Sequence, residues 1–456
     1  MIRAPIPASA TSAAAAVVLC LAATGCSIIG PGRDPDTVTV VYPHYGAFRA
    51  ADTMMRKVKK KFEAENHGVT VELHPVEAPP EDYQTQVNLM NQSEDEAPDI
   101  IFEDSFTINQ DVDAGYLAPL DKYWAEWEDA KYYREAADAA VTALDGKRYG
   151  VMVGTDTRGL WYNTKLFDRA GIETPWEPET WEDVLDTSRT LRSKLPGEVT
   201  PINVYAGTPA GEVASMQGFQ MLLSGTGDTL FDEKAQKWVV GSQGFVDALT
   251  FLHTIYSEDL AVDPQDMLNA NVATLVHEER VPAGEIAINL DGSWITQSWI
   301  ATAGKPWPEW PETMEFTGMP TQHGQEPGAT SMSGGWTLAL GAKSANPDLA
   351  WDVMKQTLSR ENATRFAIEG AQIPVREDVA ESEEFRTYKP ISEEAADLVD
   401  VTHFRPAYSE YPRISLAIQE ATEAVMLGDA TPTEAARAYD EKVEEIVGSD
   451  NTVSGA

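Results

Sequence analysis

Only 2 of the 456 residues are cysteine, and one of them, Cys20, sits in the amino-terminal apolar stretch. That excludes a disulfide framework. The chain must hold itself together by core burial, and it is long enough to do so in two or more domains. Basic residues are also scarce: 34 Lys and Arg stand against 73 Asp and Glu, a formal net charge of −39. Such a field repels phosphate backbones and anionic headgroups, so no nucleic-acid partner is expected. It favours a soluble monomer and says little about fold. The seven histidines (His44, His67, His74, His253, His277, His323 and His403) form no HExxH motif and no pair at metal-ligand spacing. No metal and no cofactor are expected. There is no G-x-S-x-G elbow and no P-loop. The segment 109–115, NQDVDAG, echoes a calcium loop, but Ala114 stands where the turn glycine belongs and Leu120 where the closing glutamate does. With so many acids, a glycosidase carboxylate pair stays open as the enzyme alternative, although the reading here is not an enzyme.

Long apolar runs are missing too, apart from residues 11–26, TSAAAAVVLCLAATGC. This run is too short for a permanent bilayer helix, which needs about 20 apolar residues. With Arg3 as a thin positive region ahead of it, it reads as an export signal. Its end, Ala23-Thr24-Gly25-Cys26, resembles the bacterial lipoprotein signal, with Ala23 where leucine is usual. The resemblance implies that residues 1–25 are removed. Cys26 then carries lipid, and residues 26–36 form a tether at the outer face of the cell membrane. An ordinary signal peptide would give the same extracytoplasmic location.

Beyond residue 36 the chain alternates strand with helix. Residues 37–43 (TVTVVYP), 68–76 and 97–104 read as strands, with helical patterns at 47–65 and 82–92 between them. This predicts an α/β fold with a mostly parallel sheet covered on both faces. Ligands in such sheets sit beyond the carboxyl ends of strands, which points to His44-Tyr45-Gly46 and Glu103-Asp104-Ser105. Further along, Thr180 with Asp183 and Thr431 with Pro432 are helix-start signals. Helices are expected at 163–170, 211–223, 241–257 and 346–358, and a packed helix pair closes the chain.

Several ordered motifs together resemble the extracellular solute-binding proteins of bacterial ABC importers, in the maltose-binding-protein-like group that carries sugars and oligosaccharides. They are PDIIFED (98–104), AGYLAPLDKY (114–123), DGKRYGVMVG with LWYNTKLFDRAGIETP (145–175), ETWEDVL (179–185), GEIAINLDGSWI (284–295), SGGWTLAL (333–340), NPDLAWDVMKQTL (346–358) and EGAQIPVRED (369–378). The resemblance implies a clamp of two α/β lobes with several interlobe crossings. The amino-terminal lobe would take 37–147 and 337–372, and the carboxy-terminal lobe 151–332 and 376–452. The implied ligand is a neutral disaccharide or short oligosaccharide, and the implied partners are the membrane subunits of an ABC permease. Alternative ligands are a polyol, a sugar phosphate, a polyamine or a peptide.

A sugar site wants an aromatic platform and a polar rim. The resemblance places Trp294 of LDGSW in the cleft. Trp336 follows two glycines at a crossing, where it would face ligand or pack the hinge. Trp161 alternates with Tyr162 along a strand, so only one of them can face the cleft. Tyr45, Asp104 and Glu103 stand at strand ends. Asp291 would bind hydroxyls or shape its turn, and Asp156 and Arg158 lie near a crossing. Tyr205 and Tyr411 are further candidate platforms. Arg376 would donate a forked hydrogen bond or an interlobe ion pair. The 12 Trp and 15 Tyr exceed what one site can use, so many of them must be core.

Overall fold

Ile100, Ile101 and Phe102 form an unbroken apolar run because both faces of their strand are covered. The computed structural model describes residues 34–455, leaving aside 45, 47, 79, 135, 136, 139, 198, 302, 304 and 389–392. The expected signal, Cys26, most of the tether and the candidate Tyr45 lie outside the described residues. Strand Thr37–Pro43 runs parallel to Thr70–Val76 on one side and to Ile100–Asp104 on the other. Beyond them Trp336–Gly341 runs antiparallel, and its far edge is shared by Leu117–Ala118 and Gly150–Met152. Val38, Val40, Ile100, Phe102, Leu338 and Leu340 meet helix Ala50–Glu65 on one face, through its Met54, Met55, Val58 and Phe62. Val41, Ile101 and Ala339 face Tyr83 and Val87 on the other. The strand period of two produces this division.

The second lobe has its own sheet. Met314–Thr317, Arg158–Asn163 and Ile286–Gly292 are antiparallel neighbours, and Thr200–Asn203 pairs in parallel with the last. Leu160 and Tyr162 enter the core built on the helices Trp181–Lys194, Gln243–Ser257, Tyr411–Leu427 and Pro432–Val447. Thr180 and Thr431 each close a full capping box, with Asp183 and Glu434. The helix expected at 211–223 is instead a π-helix, Ala214–Gln220, continued by Met221–Thr226. Gly218 lies so close to the Tyr205 carbonyl that a Cβ there would be 2.0 Å from its oxygen.

Three segments cross between the lobes side by side. Thr155 and Ile373 exchange backbone bonds at 3.0 and 2.7 Å, and Thr155 Oγ1 donates to the Gly334 carbonyl at 2.8 Å. Gly335 must be small, since a Cβ would stand 2.5 Å from the Gly154 oxygen. Gly150–Met152 and Trp336 belong to the first lobe's sheet, so the first crossing starts after Met152 rather than before 151. Ile373 packs in the second lobe's core and Val375 in the first's. Arg376 and the short helix Glu377–Ala380 then pack on helix Arg360–Glu369, so the border expected at 376 falls inside first-lobe structure.

Candidate ligand-binding cleft

The crossings bring two expected candidates together. Asp156 and Arg158 form a buried ion pair with side-chain exposures of 11% and 6%. Asp156 also accepts from the Gly334 amide at 3.0 Å, and Arg158 donates to the Met332 carbonyl at 3.1 Å. Both side chains therefore hold the crossings in register. Gly334 lies where a Cβ would be 3.4 Å from Arg405 Nη2 and 3.8 Å from Arg158 Nη2. The two guanidiniums flank one residue.

Asp104, at the carboxyl end of a parallel strand in the first lobe, accepts from Arg405 of the second lobe at 3.0 Å. The Arg405 guanidinium lies 3.8 Å from the centre of the Phe106 ring, and Phe106 meets Tyr411 edge-on at 5.9 Å. The Tyr411 hydroxyl donates to Glu212 Oε1 at 2.5 Å and accepts from Gln220 Nε2 at 2.9 Å. Ser415 Oγ lies 3.1 Å from Glu212 Oε2. Nearby, Asn109 bridges the lobes by donating to the Ala407 carbonyl at 2.6 Å. Enclosure raises the Asp104 carboxyl above its usual range, with Arg405 pulling against the rise. Burial also raises Glu212, opposed by Arg405 and by the Tyr411 and Ser415 hydroxyls. Beside the Phe106–Arg405 stack is a cavity of about 230 Å³, lined in part by Ser105, Asn109, Ser333 and Phe404. A wider groove of about 480 Å³, between Ile172 and Thr190, shares no residue with these groups.

Trp294 occupies a second corner. It is half-buried, edge-on to His277 at 5.5 Å, and burial lowers that imidazole to about 4. The neighbouring Glu278 faces the first lobe, where a Cβ on Gly46 would be 3.3 Å from its Oε1. Below Trp294, Asp291 accepts from Tyr205 OH at 2.7 Å, from Asn289 Nδ2 at 3.3 Å and from the Gly292 amide at 2.7 Å. Burial lifts the Asp291 carboxyl to about 6 against the pull of those donors.

The structure thus gathers Asp104, Tyr411, Asp156 and Arg158 around the crossings and leaves Trp294 open at one side. Other expectations need correction. Trp161 is 1% exposed and packs among Trp299, Trp310 and Phe316, on the sheet face opposite Tyr162. Tyr205 and Asp291 are 0% and 1% exposed and bind each other, and the Tyr411 ring is likewise 0% exposed, packed in the second lobe's core. Glu103 points into the first lobe beside Thr107 and Asp111, and burial with the Asp111 charge pushes it well up. Trp336 packs between Phe48, at 5.6 Å, and Tyr83, at 5.9 Å, but stays half-buried, so the expectation for it is not overturned. Arg376 is saturated by Asp378, Asp129 and the Leu358 carbonyl. Sequence reading missed Arg405, Phe106 and Glu212. The available signals were the Arg405-Pro406 pair just ahead of Tyr411 and an aromatic just after the Asp104 strand end.

Among the described residues no group of His, Cys, Asp and Glu could hold a metal ion, and no helix is long and apolar enough to cross a membrane. Two α/β lobes on adjacent crossings, facing each other with charged and aromatic groups, define a two-lobed binding clamp of the periplasmic-binding-protein type. The profile of the family described as bacterial extracellular solute-binding protein matches residues 48–364, and the chain belongs to that family. A binding protein of Brucella abortus is 28% identical over 178 residues, 39% of this chain and 41% of that protein. The match spans about two fifths of that relative's length. An ABC-transporter solute-binding protein of Thermotoga lettingae, solved with α-D-tagatose, superposes with a TM-score of 0.75 at 23% identity, covering 90% of this chain and 100% of that one. The GacH receptor of Streptomyces glaucescens, solved free and with acarbose, gives 0.75 at 21% identity over 91% of this chain and 98% of that one. Family and fold are those of non-catalytic, extracytoplasmic solute-binding proteins, so the glycosidase alternative falls.

Proposed function

We propose that the chain is the substrate-binding component of an ABC importer. It captures a neutral disaccharide or short oligosaccharide between its lobes and presents it to a permease. The observation that carries this reading is the charge state of the cleft. Arg405 is paired with Asp104 and Arg158 with Asp156, so neither guanidinium is free for a phosphate or carboxylate ligand. The walls offer Trp294 and Phe106 for the C–H faces of a pyranose, with Asp104 and Glu212 to accept its hydroxyls. The solved neighbours named with tagatose and acarbose support a sugar-type ligand. Closure of the lobes about the crossings would signal loading, because the interlobe contacts exist only when the walls meet. Lipid on Cys26 would keep the carrier beside its permease.

Calorimetric titration of the mature chain tests the reading. Neutral di- and oligosaccharides form the panel, with glycerol phosphate, a polyamine and a short peptide as controls. One-site saturation by a neutral sugar is the expected result. A response confined to a charged control or the peptide would overturn the ligand class.

A further inference from the structure

Gly292 ends its strand with φ −72° and ψ 152°, an extended geometry that any residue adopts. The backbone therefore gives no reason for glycine here. The indole of Trp294 does. A Cβ at position 292 would stand 2.0 Å from Trp294 Nε1, 2.4 Å from Cδ1 and 2.8 Å from Cε2, well inside van der Waals contact. Both backbone polar groups of Gly292 are held in place: the amide by Asp291 at 2.7 Å, and the carbonyl by Trp161 Nε1 at 3.0 Å. The next residue is joined to the first crossing. The Ser293 amide donates to the Thr157 carbonyl at 2.8 Å, and the Thr157 amide donates to Ser293 Oγ at 3.3 Å. The shelf under the ring cannot sink away from a new side chain, so the ring would have to move.

We infer that Gly292 is a positioning residue for the ligand platform. By leaving no atom beneath the indole it fixes how deep Trp294 lies, and so the room left for a sugar ring between Trp294 and the first lobe. The inference rests on the sugar-binding reading of the cleft. It also gives roles to three buried groups: Asp291 and Trp161 hold Gly292 directly, and Tyr205 holds Asp291.

A double-mutant cycle tests it, with calorimetric affinity for the best neutral sugar and thermal unfolding measured on the wild type, Gly292→Ala, Trp294→Ala and the double variant. Gly292→Ala should weaken binding about tenfold or more when Trp294 is present, and less than about twofold when it is Ala. Wild-type affinity in Gly292→Ala, or the same loss in both backgrounds, would overturn the inference. If Gly292→Ala does not fold, a folded double variant still supports the glycine–indole contact, whereas a double variant that also fails to fold moves the requirement to the strand and overturns it. A wild type that binds no sugar refutes the sugar reading instead. Thermal coupling between the two positions then decides the contact by itself.

Discussion

The two corners of the cleft are built on opposite plans. At one, Asp104 and Phe106 of the first lobe meet Arg405 and Tyr411 of the second across the gap between lobes. At the other, Trp294 rests on Gly292, Asp291, Tyr205 and Trp161, all in the second lobe. The first arrangement needs the lobes together, and the second exists whether they meet or not. A preformed platform reduces the ordering cost of binding, while an interlobe charge pair makes affinity depend on closure. On the proposed function, capture and closure would fall to different residues.

Variants at each corner can break that division. The largest effect is expected from Arg405→Ala, which leaves Asp104 and Glu212 enclosed without their cation and removes the stack on Phe106. Sugar affinity should fall by about 2–4 kcal/mol, as for truncating one partner of a buried charge pair, with a steeper pH dependence read by calorimetry. Trp294→Ala comes next, at about 1.5–3 kcal/mol of affinity with thermal stability nearly unchanged. Tyr205→Phe should cost about 1–2 kcal/mol of folding stability in urea unfolding, because Asp291 loses a buried donor, while sugar affinity moves little. An affinity loss there as large as that of Trp294→Ala would merge capture with support.

The last expected effect concerns pH. In the folded chain the Asp291 carboxyl rises from 3.8 to about 6, so the folded state holds a proton there that the unfolded chain releases. Its favourable share of stability is complete below about pH 4 and lost as the pH rises through 6. Asp291→Asn removes that share. Acidification from about pH 7 to 4 should therefore favour the wild type over this variant. Unfolding curves at the two pH values that differ equally for both proteins would contradict the shift.

Much of the fold was legible. The run from Ile100 to Phe102, the capping threonines and the apolar stripe of helix Ala50–Glu65 carry local signals that tertiary packing only reinforces. The π-helix did not show, because apolar periodicity marks a helical stretch without marking its hydrogen-bond pitch. The candidate site was harder to read. Asp104 stands at the strand end that sheet logic picked out, whereas Tyr411 is buried in the second lobe's core. Trp161, Tyr205 and Arg376 have the right chemistry in the wrong place, since pattern alone does not say which face of a strand is covered or which arginine already has partners. Arg405 was hidden for the complementary reason: its partner Asp104 lies 301 residues earlier.

The most direct test of this division between capture and closure is a crystal structure of the protein loaded with the sugar that calorimetry selects. The expected result is a pyranose ring against the indole of Trp294, hydroxyls on Asp104 or Glu212, and the lobes closed with Arg405 still on Asp104. A sugar bound elsewhere, such as the groove beside Trp176, or one that enters by breaking the Asp104–Arg405 pair and takes the guanidinium for itself, would contradict it.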